Sequence, residues 1–338
     1  MAVTEQKITE LYAAYNGDCC EVLPMIPEAS VDLSIYSPPF GGLYHYSSSD
    51  RDMSNCPSYA VFLEHYEFMV EQIARVTKPG CHSVIHVMDP MLGGKLVDLQ
   101  GDVIRLHEKY GFEFYDRKMV WKDPLKEAFR TRALALRHNH MLKDSSVCRS
   151  ALPDYVVVMQ KKGTRPAKIA HPTGLLNYAG ELDSRKRERM GYLPMPEGLV
   201  DLGVNWKGNP NENPLSHWIF RRYASPIWDD VRQGHVLPYR EARESEEERH
   251  VHPLQLDVIE RSLTLWSNPG ETILTPFAGV GSEVFGAVRV GRKCIGIELK
   301  PSYYRQMLKN LQFAEEYARD PGALPLFADD DEELEAAL

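Results

Sequence analysis

Cysteine is sparse in this 338-residue chain. Cys19, Cys20, Cys56, Cys81, Cys148 and Cys294 are scattered, with no C-x-x-C pair. That argues against a disulfide framework and a zinc site, and it points to a reducing, cytoplasmic compartment. No run of about 18 apolar residues occurs, so no membrane span is expected. Met1 to Lys7 lacks the basic-then-apolar layout of a signal peptide. Positive charge is also short: 39 Lys and Arg face 48 Asp and Glu, a net of −9, which taken alone disfavours nucleic acid. The deficit is uneven, however. Residues 117–189 hold 17 Lys and Arg against 7 Asp and Glu, a net of +10 that leaves −19 for the remainder. A basic middle in an acidic chain is the electrostatic footprint of a polyanion-binding face. A merely solvated surface would look similar, because exposed helices also collect Lys and Arg.

What is present starts from one stretch. The apolar run Val31-Asp32-Leu33-Ser34-Ile35-Tyr36 stops at Ser37-Pro38-Pro39-Phe40 and passes into Gly41-Gly42. A short β-branched run ended by two prolines reads as a buried strand with a rigid loop. Proline keeps its carbonyl but has no N–H, so the pair holds an acceptor in a fixed direction. With a polar side chain before it and an aromatic face after it, the loop suits a planar, amino-bearing ring. An isolated Pro-Pro would more often be a plain turn.

Around this stretch the spacing predicts alternating strands and helices. Residues 4–15 read as a short helix running into a strand, and Asn16-Gly17-Asp18 puts a carboxylate at the lip of the sheet. A short helix from Cys19 to Pro27 and the strand ending at Ser37 follow. The long polar loop 41–57 reads as functional or mobile. Tyr59 to Thr77 is helical in spacing and stops at Lys78-Pro79-Gly80. Strands are expected at 81–88, 112–121 and 154–160, with a helix near 98–110; His82 and His86 read as sheet residues rather than ligands. Residues 122–150 are basic, and 161–250, rich in Gly, Pro, Arg and Trp, show no clear period. Regular structure resumes with a helix over Leu254–Trp266. Thr275-Pro276-Phe277-Ala278-Gly279-Val280-Gly281-Ser282 then gives strand, glycine loop and helix, followed by a strand ending at Glu298. Glycines let the backbone approach a ligand closely, and a helix start offers free N–H groups. Glu298 lies 17 positions past Gly281, near the offset of the ribose-binding acid in a Rossmann-type unit. Asp18 and Glu298 propose themselves as two polar anchors of one cofactor. The elements together predict an α/β fold: a Rossmann-like, mostly parallel sheet covered on both faces.

With these motifs placed, the chain resembles an amino-directed DNA methyltransferase of the β arrangement, in which the catalytic motif precedes the target-recognition region and the S-adenosylmethionine loop lies near the C-terminus. Ser37-Pro38-Pro39-Phe40 matches the catalytic motif, and Phe277-Ala278-Gly279-Val280-Gly281-Ser282 matches the cofactor loop. Gly291 to Glu298 resembles the next strand with its ribose acid. Asn16-Gly17-Asp18 resembles the segment bracketing the adenine, and His252-Pro253 the motif opening the preceding helix. The likeness covers most of 12–160 and 250–312, so the fold is expected to be of the S-adenosylmethionine-dependent methyltransferase type in circularly permuted order. It implies a catalytic half at 1–160 with a basic insertion at 122–150, a target-recognition region at 161–250, a cofactor-binding half at 251–316 and an acidic tail at 317–338. Two departures stand out. Thr275 occupies a position that is usually Asp, and Leu254-Gln255-Leu256 follow His252-Pro253 where Lys or Gln before Pro is common.

The resemblance also implies the chemistry. S-adenosyl-L-methionine would be the cofactor, with Asp18, His252, Phe277, Ala278, Gly279, Gly281, Ser282 and Glu298 binding it. Ser37 and the Pro38 carbonyl, with Pro39 and Phe40, would hold the amino group of a flipped-out base for direct methyl transfer, with no metal needed. Double-stranded DNA would be the partner, met by Lys122, Arg130, Arg132, Arg137, Lys143, Arg185, Lys186, Arg187 and Arg189. Serine before Pro-Pro is more often seen with N4-cytosine enzymes. Yet residues 37–55, Trp121 to Pro124 and Lys143 to Ser145 look like a phage-type and orphan subgroup with adenine-N6 enzymes, and adenine is slightly favoured. Similar enzymes often dimerise, so a homodimer is also expected. Ala323-Leu324-Pro325-Leu326-Phe327 is similar to peptides that dock on bacterial sliding clamps, with Ala323 where glutamine usually leads. Two other readings compete: a degenerate DNA-binding protein, motivated by Thr275, and a methyltransferase acting on RNA or protein amides.

Overall fold

The computed structural model describes residues 3–39, 49–130, 137–182, 195–244 and 253–319. Phe40, Arg132, Arg185, Lys186, Arg187, Arg189, His252, the 323–327 segment and the Arg130 side chain lie outside the described residues. In chain order the strands are β1 (Val3–Ile8), β2 (Tyr12–Gly17), β3 (Val31–Tyr36), β4 (Thr77–Val87), β5 (Met91–Leu92), β6 (Lys95–Leu96), β7 (Phe112–Val120), β8 (Asp154–Lys161), β9 (Ile227–Trp228), β10 (Thr272–Thr275) and β11 (Lys293–Glu298). β5 and β6 pair with each other. The other nine form one sheet in the order β1-β2-β11-β10-β3-β4-β8-β7-β9.

The run from β2 through β11, β10 and β3 to β4 is parallel, while β1, and β8 with both its neighbours, pair antiparallel. The mostly parallel sheet expected from the sequence is therefore present. Successive strand residues point to opposite faces, and both faces are covered. Val84, Val156, Val158 and Ile273 pack on one side with helices Leu256–Trp266, Ser282–Arg289 and Pro301–Arg319. Ile85, Val157, Met159 and Leu274 pack on the other, against Phe62, Tyr66 and Val70 of helix Tyr59–Val76 and Val103 of helix Leu99–Lys109. This two-sided burial is why the central strands read as nearly continuous apolar runs.

Two segments differ from expectation. Residues 4–8 form strand β1, not a helix: Thr4-Glu5-Gln6-Lys7 is an exposed edge strand paired to β2. Lys7 Nζ reaches Glu315 Oε1 at 2.7 Å, and the Thr4 hydroxyl donates to Asn16 Oδ1 at 2.7 Å. Tertiary pairing overrides the weak local helix preference of a polar segment. Within 161–250 the irregular composition hides two helices, Leu199–Val204 and Pro214–Tyr223, joined through Leu199, Leu215 and Ile219. Asn213 accepts from Leu215 N and Ser216 N, and Pro214 takes the first helical position, a start signal built from residues that otherwise read as loop. The same region supplies β9, which extends the sheet beside β7.

What places a site is the point where connections part. From β10 the chain runs through helix Ser282–Arg289 to β11 on one side, and from β3 through helix Tyr59–Val76 to β4 on the other. The loops after β3 and β10 therefore diverge, leaving a crevice at the carboxyl ends of adjacent strands, where open α/β sheets bind ligands.

Gly281 fixes the turn into helix Ser282–Arg289 with φ of +91°, and a Cβ there would stand 2.6 Å from Met307 Cγ. Gly291→Ala, at φ +77° with open space around it, is expected to cost about 1 kcal/mol for its backbone conformation alone. Gly281→Ala is expected to cost about 2–4 kcal/mol, because a steric conflict adds to that. Urea unfolding of both variants measures the difference.

Candidate active site

The crevice opens into a cleft of about 1110 Å³, counted out to open solvent. Asp18, Ser37, Pro38, Pro39, Phe277, Ala278, Gly279, Ser282 and Glu298, all named from the sequence, line it. Gly281 lies behind the wall as the N-cap of helix Ser282–Arg289.

The strand ends set the floor. Glu298 closes β11 and accepts from Gly279 N at 2.7 Å and Lys300 N at 2.8 Å, so one carboxylate joins the loops after β10 and β11. Asn16, near the end of β2, donates to the Glu298 carbonyl at 2.8 Å and the Leu299 carbonyl at 3.1 Å. Asp18 caps helix Cys19–Val22 by accepting from Cys20 N at 2.9 Å. Burial pushes Glu298 up to about 7, against the pull of the Lys300 and Gly279 N–H groups, with the Asp52 charge adding to the rise. Burial likewise pushes Glu283 up to about 8, with the Glu298 charge adding to it. Among the described residues, Asp18, Cys19 and Cys20 alone hold three metal-ligating atoms within 4.8 Å of one another. They come from consecutive residues of one turn whose carboxylate already caps the helix, so they do not make an open metal site.

On the β3 side, the Ser37 hydroxyl donates to the His86 carbonyl at 3.0 Å and also faces His86 Nδ1 at 3.3 Å. His86 Nε2 lies 3.0 Å from Asp154 Oδ2. A carboxylate only accepts, so in the neutral ring Nε2 carries the hydrogen and Nδ1 is the acceptor turned to Ser37. With its hydrogen directed at β4, the Ser37 oxygen keeps lone pairs for a donor arriving in the cleft. Burial opposes ionisation of Asp154, but Lys122 at 2.8 Å and His86 together hold it well below the usual carboxylate range. His86 is a sheet residue as expected, but its side chain also touches Ser37.

That geometry corrects one expectation. The Lys122 side chain is only 8% exposed, paired with Asp154 and donating to Gln233 Oε1 at 2.6 Å. Its charge is therefore neutralised inside the protein and not presented to phosphate. Arg137 and Lys143, flanking and ending helix His138–Lys143, are exposed.

Sequence motifs alone missed Arg51, Asp52, Met53, Tyr239, Leu254, Glu283, Lys300 and Tyr303, which also line the cleft. Glu283 directly follows the matched loop and Lys300 lies two residues past the matched acid, so adjacency to the motifs was the available signal. Arg51 to Met53 belong to the loop read as functional or mobile, with none of its residues singled out. Asp52 there accepts from Ser54 N at 2.9 Å and Ser54 Oγ at 2.7 Å. Thr275 is fully buried, and its hydroxyl has no hydrogen-bond partner among the described residues.

Because Glu283 and Glu298 titrate higher when folded than the 4.5 expected of the free side chain, the folded state holds protons that the unfolded state releases. Their contribution is complete below about pH 4.5 and is lost as pH rises through 7 and 8. Glu283→Gln is expected to melt progressively higher than the parent as pH rises from 5 to 9, with most of the gain between 6 and 8. Thermal unfolding of both proteins in the absence of ligand measures it.

Known proteins resemble the chain in sequence and in fold. The chain is 22% identical over 310 residues to the type II methyltransferase M.BamHI of Bacillus amyloliquefaciens, a match covering 89% of this chain and 58% of the relative. It is 25% identical over 294 residues to M.BglII of Bacillus subtilis, covering 86% and 66% respectively. The chain thus spans about three-fifths to two-thirds of the length of these relatives. Among solved structures, a DNA modification methylase of Thermus thermophilus, TTHA0409, in complex with S-adenosyl-L-methionine, shares the fold with a TM-score of 0.54 at 21% identity, over 91% of this chain and 95% of that one. The cytosine-N4-specific PvuII DNA methyltransferase shares it with a TM-score of 0.53 at 15% identity, over 94% of both chains. A DNA methylase family model matches residues 31–309, and the chain belongs to that family.

Proposed function

We propose that this protein transfers a methyl group from S-adenosyl-L-methionine to the exocyclic amino group of a flipped-out DNA base, N6 of adenine before N4 of cytosine. The observation that carries the reading is that the Ser37-Pro38-Pro39 turn and the Phe277-Ala278-Gly279 loop, far apart in the chain, line one cleft at adjacent strand ends. The cleft fits the cofactor: Ser282 Oγ is buried there without a partner among the described residues, and acids stand at both β2 and β11. Glu298 and Asp18 would receive ribose and adenine groups, and Gly279 would let the backbone come close.

When bound, the cofactor supplies a methyl group on a sulfonium. The chain must then make an amine nucleophilic, since an amino group conjugated to its ring is a poor nucleophile. Ser37, whose hydrogen is turned to His86, would accept one N–H and the Pro38 carbonyl the other, favouring the nitrogen lone pair as charge develops. Pro39 keeps the turn rigid. By its place in the motif, Phe40 would stack on the base. A base inside a duplex must leave the stack to reach this cleft. The adenine preference rests on the motif-flanking residues at 37–55, 121–124 and 143–145; Ser37 itself favours the cytosine reading. Arg137 and Lys143, with the basic residues at 185–189, would meet the DNA backbone. A homodimer and a sliding-clamp contact through 323–327 are supported by sequence resemblance alone.

Incubation with S-adenosyl-L-methionine and unmethylated bacterial DNA, followed by nucleoside mass spectrometry, is expected to yield N6-methyladenine. N4-methylcytosine would reverse the base assignment. Neither product, with cofactor and DNA both bound, would support the degenerate-binder reading. Pro38→Ala or Phe40→Ala is expected to lower transfer by at least about 100-fold while leaving cofactor affinity nearly intact; parallel loss of affinity would refute that division of roles. Charge reversal at Arg185, Arg187 and Arg189 is expected to weaken DNA binding and flatten its salt dependence, by up to about one unit of slope for each phosphate no longer neutralised. An unchanged slope would move the DNA face elsewhere.

A further inference from the structure

Four carboxylates line the cleft, and three are occupied within the protein. Glu298 accepts from Gly279 N and Lys300 N, Asp18 from Cys20 N, and Asp52 from Ser54 N and Oγ. Glu283 differs. It is only 4% exposed, sits in the first turn of helix Ser282–Arg289, and has no cation within ion-pair distance among the described residues. Beside it, Ser282 Oγ is buried without a hydrogen-bond partner among the described residues. A buried anion is ordinarily paired or coordinated, because desolvation otherwise disfavours its charge. Here a buried carboxyl with no internal cation among the described residues faces the cleft.

We propose that Glu283 is the seat for the ammonium group at the amino-acid end of S-adenosyl-L-methionine. This rests on the cofactor reading given above. An ammonium brings three N–H donors, which suit a carboxylate and the Ser282 hydroxyl together. A sulfonium offers no such donor. The helix start makes the carboxylate necessary as well, since its positive partial charge repels a cation that arrives unaccompanied. The raised titration of Glu283 fits a carboxyl that ionises fully only when a counter-charge arrives with the ligand.

Isothermal titration of the full chain and its Glu283→Gln variant with three ligands tests the assignment. S-adenosyl-L-methionine carries both sulfonium and ammonium, S-adenosyl-L-homocysteine keeps only the ammonium, and 5′-methylthioadenosine lacks the amino-acid end. Glu283→Gln is expected to weaken the first two by a similar factor of about ten or more and to leave the third within about twofold. Glu283→Asp, which keeps the charge, is expected to retain more affinity than Glu283→Gln. Unchanged affinity for S-adenosyl-L-homocysteine would overturn the proposal, as would an equal loss for 5′-methylthioadenosine, which would mean a general disturbance of the cleft. Parent protein that binds none of the three would overturn the cofactor reading itself, an outcome distinct from failure of the Glu283 assignment.

Discussion

The junction at Glu298 holds the cleft together. Its two carboxylate oxygens accept backbone hydrogens from loops belonging to different strands, β10 and β11. Asn16 adds a third strand by donating to the carbonyls of Glu298 and Leu299. Three loops that would each be free to move are thereby fixed to one another through charge-assisted or buried bonds, which are the strong kind. The cleft residues that follow β2, β10 and β11 sit on loops joined by this knot. Burial raises the titration of Glu298, so joining these loops costs desolvation of the acid.

The opposite wall depends on a second polar line. Ser37, His86, Asp154 and Lys122 follow one another across β3, β4, β8 and the segment after β7. Gln233 continues it, and Gln255, at 3.3 Å from Gln233, brings it to the helix that precedes the cofactor loop. The turn read as catalytic and the helix that precedes the cofactor loop are therefore connected through the interior as well. Removing one partner from such a chain would leave a buried charge in a poor environment, so the line constrains which substitutions the first wall accepts. It also consumes a lysine that charge counting assigned to the surface.

The central sheet was legible in the sequence because those strands are buried on both faces and their apolar runs end at Pro, Gly or an acid. The motifs at 37–39, 277–282 and 298 were legible for a related reason: each sits at a strand end, where local punctuation is strongest. Residues 4–8 misled because an edge strand made of Thr, Glu, Gln and Lys has no apolar alternation to reveal it; its hairpin partner β2 and the distant Glu315 decide its state. The helices after residue 198 were hidden by Gly and Pro that serve as starts and turns. His86, Asp154 and Lys122 could not be joined from spacing at all, since their proximity arises from the order of β4, β8 and β7 in the sheet. Glu283 stood next to a matched motif but looked like an ordinary first-turn acid until its burial was known.

The strand order also bears on how the chain acquires its shape. β10 and β11 are made last and lie between β2 and β3, which are made early. During synthesis, the first 160 residues supply two fragments of sheet whose inner edges have no neighbours for more than a hundred further residues. Such edges are templates for pairing with other chains, and contacts so distant in sequence form slowly. The final strands thus act as a keystone: the same insertion that closes the sheet creates the cleft, so a chain interrupted before residue 298 carries the Pro-Pro turn on open, adhesive edges and has no ligand site.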